Sequence, residues 1–262
     1  MSKNAVLIAM AHEEPFEKIK QEIYPTLVKW YALFGYDTFF VYGRTPLAVE
    51  RKFRRNIEKL RWNRYYPLLR AYDLLFLRIY KWYKPRVQIS GQQIFVNVPE
   101  DLRHLSVKIL ASLSLLRSLG YQLIIRTTIN SILMPGIIDK ELSKHKSKVL
   151  LYGGRENHQE DGFTFISGSL TIFNAECIDL LGSKIKFFDF SLIDDVAIGR
   201  LLTKDRMTSL NLKTIDIVDL EDLSEIASNS NFAQIRCKST NPSGERIDFR
   251  LMLESMKILE IE

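Results

Sequence analysis

The first forty residues constrain the fold more than any other stretch. Residues 6–10 are a short apolar run. Phe16, Ile19, Ile23, Leu27, Trp30 and Phe34 then recur at three- and four-residue spacing, the apolar stripe of a helix over 12–34. Gly35 stands where a helix C-cap is expected. Residues 37–42, DTFFVY, are aromatic and β-branched and read as a strand. Two strands joined by a helix of this length pair in parallel through a crossover. The expectation is an α/β chain with a mostly parallel, Rossmann-like central sheet flanked by helices.

The alternation continues downstream. Strands are expected at 93–98, 122–125, 149–152, 164–166 and 233–238, with helices opening at Pro99, Asn174, Ser191 and Ile247. Gly153-Gly154 is expected to end one strand, and Ser167-Gly168-Ser169 to break another. No repeat or linker interrupts the 262 residues, so one domain over 1–262 is expected, carrying a helical insertion at about 48–86.

Composition narrows the function classes. Cys177 and Cys237 are the two cysteines, which fits neither a disulfide framework nor zinc-ligand spacing. Six apolar residues near the N-terminus are too few for a signal or a span, and no other segment is long enough, so a soluble or peripheral protein is expected. There is no Walker A sequence, no GxGxxG after a strand and no HExxH. The net charge of +6 is local: residues 51–86 hold twelve Lys/Arg against Glu58 and Asp73, a charge of +10, which leaves −4 for the rest. Trp62, Tyr65, Tyr66, Tyr72, Phe76, Tyr80, Trp82 and Tyr83 are interleaved with those charges. That mixture suits an interfacial helix on an anionic membrane surface; a face packed on the domain with solvated arginines is the alternative. Nucleic acid is not an expected partner, because the remainder is acidic and no DNA or RNA motif is present.

Four groups of residues have chemical potential. Arg126, Thr127, Thr128, Asn130 and Ser131 follow the fourth strand, where open α/β sheets bind ligands, and offer a cation, hydroxyls and an amide to phosphate or sugar. A turn with a helix cap would look the same. Ser167 and Gly168 allow close approach to backbone N–H groups, as would an ordinary tight turn. Asp194 and Asp195 are adjacent carboxylates before a helix, suited to general-base work or merely to the helix N-terminus. Arg236 and Lys238 alternate on a strand, so both face one side, as diphosphate ligands or as a solvated face.

The order of these groups resembles the β-1,3-galactosyltransferase and Fringe-like glycosyltransferases. The DTFFVYG strand, Val98-Pro99-Glu100-Asp101 before a helix bearing Lys108, the strand end at 124–131, Phe165–Ser169 and Asp194-Asp195-Val196-Ala197-Ile198-Gly199 are similar to that family's motifs over about residues 5 to 205. The resemblance implies a GT-A fold, a nucleotide-sugar donor, a glycan or lipid-linked acceptor and inverting transfer. Asp195 matches the catalytic base, Ser167, Gly168 and Asp194 the acceptor side. Arg126, Thr127, Thr128, Asn130, Ser131, Arg236 and Lys238 are the candidate donor-binding residues. The family's Asp-x-Asp is missing, with Thr128, Ile129 and Asn130 in its place, which puts a Mn²⁺ or Mg²⁺ cofactor in question. The departure also keeps open a non-catalytic nucleotide- or glycan-binding protein. The family's membrane anchor and paired cysteines are absent too, as in a bacterial or viral relative working in the cytoplasm at the membrane surface.

Overall fold

The computed structural model describes residues 3–9, 17–44, 85–100, 104–145, 149–229, 231–239 and 247–261. The opening unit forms as expected. Strand β1 (Lys3–Ala9) is followed by a wide helical turn, Ile19–Ile23, then helix α1 (Tyr24–Leu33) and strand β2 (Tyr36–Gly43). Gly35 ends the helix with φ +78°, a conformation that costs glycine least. β1 and β2 pair in parallel from Asn4↔Tyr36 to Ala9↔Val41. Ile19, Ile23 and Leu27 are buried as their spacing requires, but the stripe continues through Tyr31 rather than Trp30 and Phe34. The wide turn takes an extra residue and rotates the later part of the face.

A hairpin follows, β3 (Val87–Ser90) and β4 (Gln93–Val96), and β4 joins β2 in parallel. Helix α2 (Leu105–Ser118) leads through Gly120 to β5 (Tyr121–Thr128), which pairs in parallel with the other side of β1. The helix expected from Pro99 begins only at Leu105, because Glu100 accepts the Gly43 N–H and pairs with Lys108 instead of serving a helix start.

β7 (Tyr152–His158) and β8 (Thr164–Asn174) complete the large sheet, whose order is β3-β4-β2-β1-β5-β8-β7. Its four-strand centre, β4-β2-β1-β5, is parallel, whereas β3, β8 and β7 pair antiparallel. Five of the seven strands thus run in one direction, and only β3 and β8 oppose them, within the α/β layering expected. Two strand boundaries also differ from expectation. β7 starts at Tyr152 and runs through Gly153-Gly154, with a register shift after Gly154 absorbing the irregularity. β8 runs through Ser167-Gly168-Ser169 without a break.

Helix α4 (Ala175–Ser183) follows β8 directly, and the Asn174 side chain caps it by accepting the Cys177 N–H at 3.0 Å. A smaller sheet, ordered β6-β10-β9, comprises β6 (Ser131–Leu133), β9 (Thr214–Ile217) and β10 (Gln234–Cys237). Helices α3 (Pro135–Ser143), α5 (Asp194–Leu202), α6 (Leu223–Ser228) and α7 (Asp248–Ile258) complete the described elements. β1 divides the core by strand alternation: Val6 and Ile8 join a cluster with the small sheet (Ile132, Ile215, Ile235) and α7, while Ala5 and Leu7 join α2, α4 and α5 on the other face.

Candidate functional site

The parallel strands β1, β2, β4 and β5 end along one edge of the sheet, at Ala9, Gly43, Val96 and Thr128. β8 starts beside that edge, with Leu170 opposite Thr127, and the N-terminus of α5 abuts it. This is the side on which open α/β sheets take ligands.

Arg126, Gly168, Asp194 and Asp195 meet there. Arg126 lies on the last turn of pleat in β5, on the face that carries α5, and is only 2% exposed. It forms an ion pair with Asp194, itself 3% exposed. Taking both charges from water is costly and is offset only by their mutual attraction. Burial accordingly raises the Asp194 carboxyl above the ordinary aspartate range, the Arg126 charge opposes the shift, and Asp195 adds to it. The guanidinium lies over Gly168: a Cβ there would stand 2.6 Å from Nη2 and 2.7 Å from Cζ. Gly168 in turn donates its N–H to Asp195 Oδ2 at 3.0 Å, while Asp195 Oδ1 accepts the Val196 N–H at 2.8 Å. Asp195 is half-buried, so it is held in place and still reached from outside. Gly199, one turn along α5, meets Phe165 so closely that a Cβ would stand 2.8 Å from the Phe165 Cβ. The acidic pair and the glycine of the DDVAIG run thus have one task each: the acids at the strand edge, the glycine docking the helix on β8.

The polar string after β5 divides between two settings. Thr127 Oγ1 donates to the Ser169 carbonyl at 2.8 Å, Asn130 Nδ2 donates to the Cys237 carbonyl at 2.7 Å, and Ser131 Oγ accepts from Gln234 Nε2 at 3.0 Å. All three residues are buried; Thr127 bonds within the large sheet, Ser131 within the small one, and Asn130 ties the link between β5 and β6 to the end of β10. Gln234, fully buried and also donating to the Ser169 carbonyl, ties the same junction; its polar side chain inside an apolar strand was the sequence signal for it. Thr128, whose hydroxyl meets Ser131 Oγ at 2.9 Å, is half-buried at the edge. Ser167 Oγ lies 3.1 Å from Ser169 Oγ, so both serines sit on one side of β8.

Arg236 on β10 stands in register between Ser131 of β6 and Asp216 of β9. Lys238 follows, exposed. Both charges help hold the Asp216 carboxyl below its ordinary range, behind the larger effect of Arg155, whose Nη1 and Nη2 reach the two Asp216 oxygens at 2.5 and 2.8 Å. Arg155 and Asp216 escaped the sequence reading, since each looks like an ordinary solvated charge until the strands are paired.

A carboxylate-held divalent metal does not fit the strand end: Ile129 is buried and apolar, Asn130 is spent on Cys237 and Asp248, and Thr128 offers one hydroxyl. Among the described residues no group of three or more His, Cys, Asp or Glu is placed to hold a metal ion. An apolar groove of about 610 Å³ between α2 and α4, lined by Val87, Leu110, Leu113, Ile178 and Ile185, contains none of the residues above. No described helix is long and apolar enough to cross a membrane. Of the basic aromatic segment 51–86, residues 51–84 lie outside the described residues.

No protein-family model and no curated protein matches the chain. Among solved structures it is similar to a galactosyltransferase LgtC in complex with donor and acceptor sugar analogs, at 10% identity and a TM-score of 0.40, over 98% of this chain and 94% of that one. An active-site mutant of LgtC gives 10% identity and a TM-score of 0.42 over 97% and 95%. The 4-diphosphocytidyl-2C-methyl-D-erythritol synthase of Anaerococcus prevotii DSM 20548 gives 9% and 0.36 over 80% and 89%. Likenesses of this size leave donor, acceptor and mechanism to be argued from the chain's own residues.

Proposed function

We propose that the chain is a GT-A-type glycosyltransferase that moves a sugar from a nucleotide-sugar donor to a hydroxyl of a glycan or lipid-linked acceptor, with inversion. The observation that carries this reading is the setting of Asp195. It is a half-buried carboxylate at the ligand-binding edge of the sheet, fixed by the Gly168 N–H and still accessible. Asp195 takes the proton of the acceptor hydroxyl as its oxygen attacks the anomeric carbon and the bond to the donor diphosphate breaks. Both Asp195 oxygens accept backbone N–H groups, and each keeps a lone pair for that proton.

The leaving diphosphate gathers negative charge that must be matched by positioned donors. The step is written without a metal, because the described residues at the end of β5 do not fit one. Arg236 and Lys238 supply cations, and Thr128 a hydroxyl, on the same side of the junction. Arg126 is too deeply buried to be spent on the donor. It fixes Asp194 and underlies Gly168, and so keeps Asp195 in place. Thr127, Asn130 and Ser131 are engaged at the junction of the two sheets by the Ser169 and Cys237 carbonyls and by Gln234.

A thermal-shift screen with UDP, GDP, CDP and TDP tests the reading. One nucleotide should raise the melting temperature by mass action, equivalent to about 2.7 kcal/mol at a hundred times its Kd. Binding without transfer of any sugar would favour the non-catalytic binding protein, the reading to which the missing Asp-x-Asp points. No shift with any of the four would count against both.

A further inference from the structure

We propose that the Thr128 hydroxyl is held as a hydrogen-bond donor at the ligand edge, that Gln234 fixes its direction through Ser131, and that it binds a phosphoryl oxygen of the nucleoside diphosphate. The direction follows from placing each hydrogen in turn. Gln234 Nε2 faces the Ser169 carbonyl, which can only accept, so the amide nitrogen lies on that side. Its second hydrogen goes to Ser131 Oγ at 3.0 Å. Thr127 Oγ1, at 3.4 Å, is the weaker alternative, and gives its own hydrogen to the same Ser169 carbonyl at 2.8 Å. Ser131 Oγ therefore accepts from Gln234 and still has a hydrogen to place. Ser131 is fully buried, and among the described residues Thr128 Oγ1, at 2.9 Å, is the acceptor within its reach. Were Thr128 the donor of that bond, the Ser131 hydrogen would be buried without a partner, the costlier arrangement. Ser131 thus donates to Thr128, and the Thr128 hydrogen points away from the network.

Position and chemistry identify the ligand atom. Gln234 and Ser131 are closed to solvent, whereas Thr128 is half-buried at the last residue of β5, on the edge where the parallel strands end. A sugar hydroxyl both donates and accepts, so either direction of Thr128 would serve it. A phosphoryl oxygen only accepts, and a hydroxyl whose hydrogen always faces outward selects for it. Gln234 acts through Ser131 and is a positioning residue, its amide buried in the strand that joins the small sheet to the site. The inference rests on the proposed function in taking the anion to be that of a nucleoside diphosphate.

Calorimetric titration of the full chain with UDP, GDP, CDP and TDP selects the nucleotide that binds, and its affinity is then read in variants. Thr128→Val keeps the shape and removes the hydroxyl; it should weaken binding about tenfold or more, the loss of one hydrogen bond to a charged group. Thr128→Ser keeps the hydroxyl and should restore the affinity. Ser131→Ala leaves the Thr128 hydroxyl in place but undirected. One of three staggered wells then presents its hydrogen, so binding should weaken about threefold. In the Thr128→Val background Ser131→Ala should change nothing, because no hydroxyl remains to be directed. Melting temperatures establish that the variants are folded, and Gln234→Met, which removes both amide donors, replaces Ser131→Ala if that variant unfolds. Unchanged affinity in Thr128→Val, no recovery in Thr128→Ser, or an equal loss from Ser131→Ala in both backgrounds would overturn this assignment and leave the transferase reading intact. Binding of none of the four nucleotides would overturn both.

Discussion

Replacing Gly168 by alanine tests the packing that holds the candidate base. Glycine to alanine inside a strand ordinarily stabilises a protein by about 0.5–1 kcal/mol through lost backbone freedom. Here the added Cβ would stand 2.6, 2.7 and 2.8 Å from Nη2, Cζ and Nη1 of Arg126. The far end of an arginine usually moves aside cheaply. This one is 2% exposed and paired with an equally buried Asp194, so it moves only by weakening that pair. Overpacking costs about 1–3 kcal/mol, and fully breaking a buried pair about 3–5 kcal/mol; partial loss gives a net destabilisation of about 2–3 kcal/mol. For a chain of this size that lowers the melting temperature by roughly 4–12 °C. Urea unfolding of Gly168→Ala, in the native and the Arg126→Ala backgrounds, separates the causes. The substitution should be nearly neutral once the guanidinium is gone. Equal costs in both backgrounds, or a more stable single variant, would refute the contact as the reason for the glycine.

Three further outcomes are expected. Glu141 is held at about 2 against an ordinary 4.5, first by Lys144, then by the Asn211 N–H; its depressed value adds stability above pH 4.5 that is lost as the pH falls through 2, so Glu141→Gln should cost about 1 kcal/mol at pH 7 after solvent screening, and progressively less as the pH falls below 4.5, by urea unfolding. Sugar transfer should survive EDTA, given Thr128, Ile129 and Asn130 at the strand end, and loss of activity with rescue by Mn²⁺ or Mg²⁺ would overturn that expectation. The chain should sediment with anionic but not neutral vesicles at low salt through residues 51–86, at about 1 kcal/mol per basic residue near the surface; failure to pellet leaves those residues a packing or solvating role.

Much of the parallel centre of the sheet was legible, because β1, α1 and β2 carry their own periodicity and Gly35 and Gly120 mark the helix ends. The antiparallel flank was not. β3 is a four-residue edge strand, largely exposed, and hides in a polar context. Gly153-Gly154 and Ser167-Gly168-Ser169 read as breaks, since the reason for their small size lies in residues far along the chain: a Gly153 Cβ would meet the Thr208 carbonyl, and a Gly168 Cβ the Arg126 guanidinium. The site divided in the same way. Asp194 and Asp195 were visible as adjacent acids before a helix, but which was buried depended on where Arg126 pointed. Thr127, Asn130 and Ser131 looked like ligand-binding groups because the strand that engages them, β10, begins a hundred residues later. Arg155 and Asp216 gained meaning only when β7 and β9 were brought together.

The most direct measurement is sugar transfer by the wild-type chain and by Asp195→Asn, with labelled UDP-, GDP-, CDP- and TDP-sugars and a panel of glycan and lipid-linked acceptors. Asparagine keeps an oxygen for the Gly168 N–H, removes the basicity and gives up the bond from the Val196 N–H. The account predicts transfer by the wild type and a fall of about a hundredfold or more in kcat for the variant, with the variant still folded and its nucleotide affinity unchanged. Near-normal turnover in folded Asp195→Asn would contradict the assignment of the base, and absence of transfer from every donor by the wild type would contradict the assignment of the enzyme.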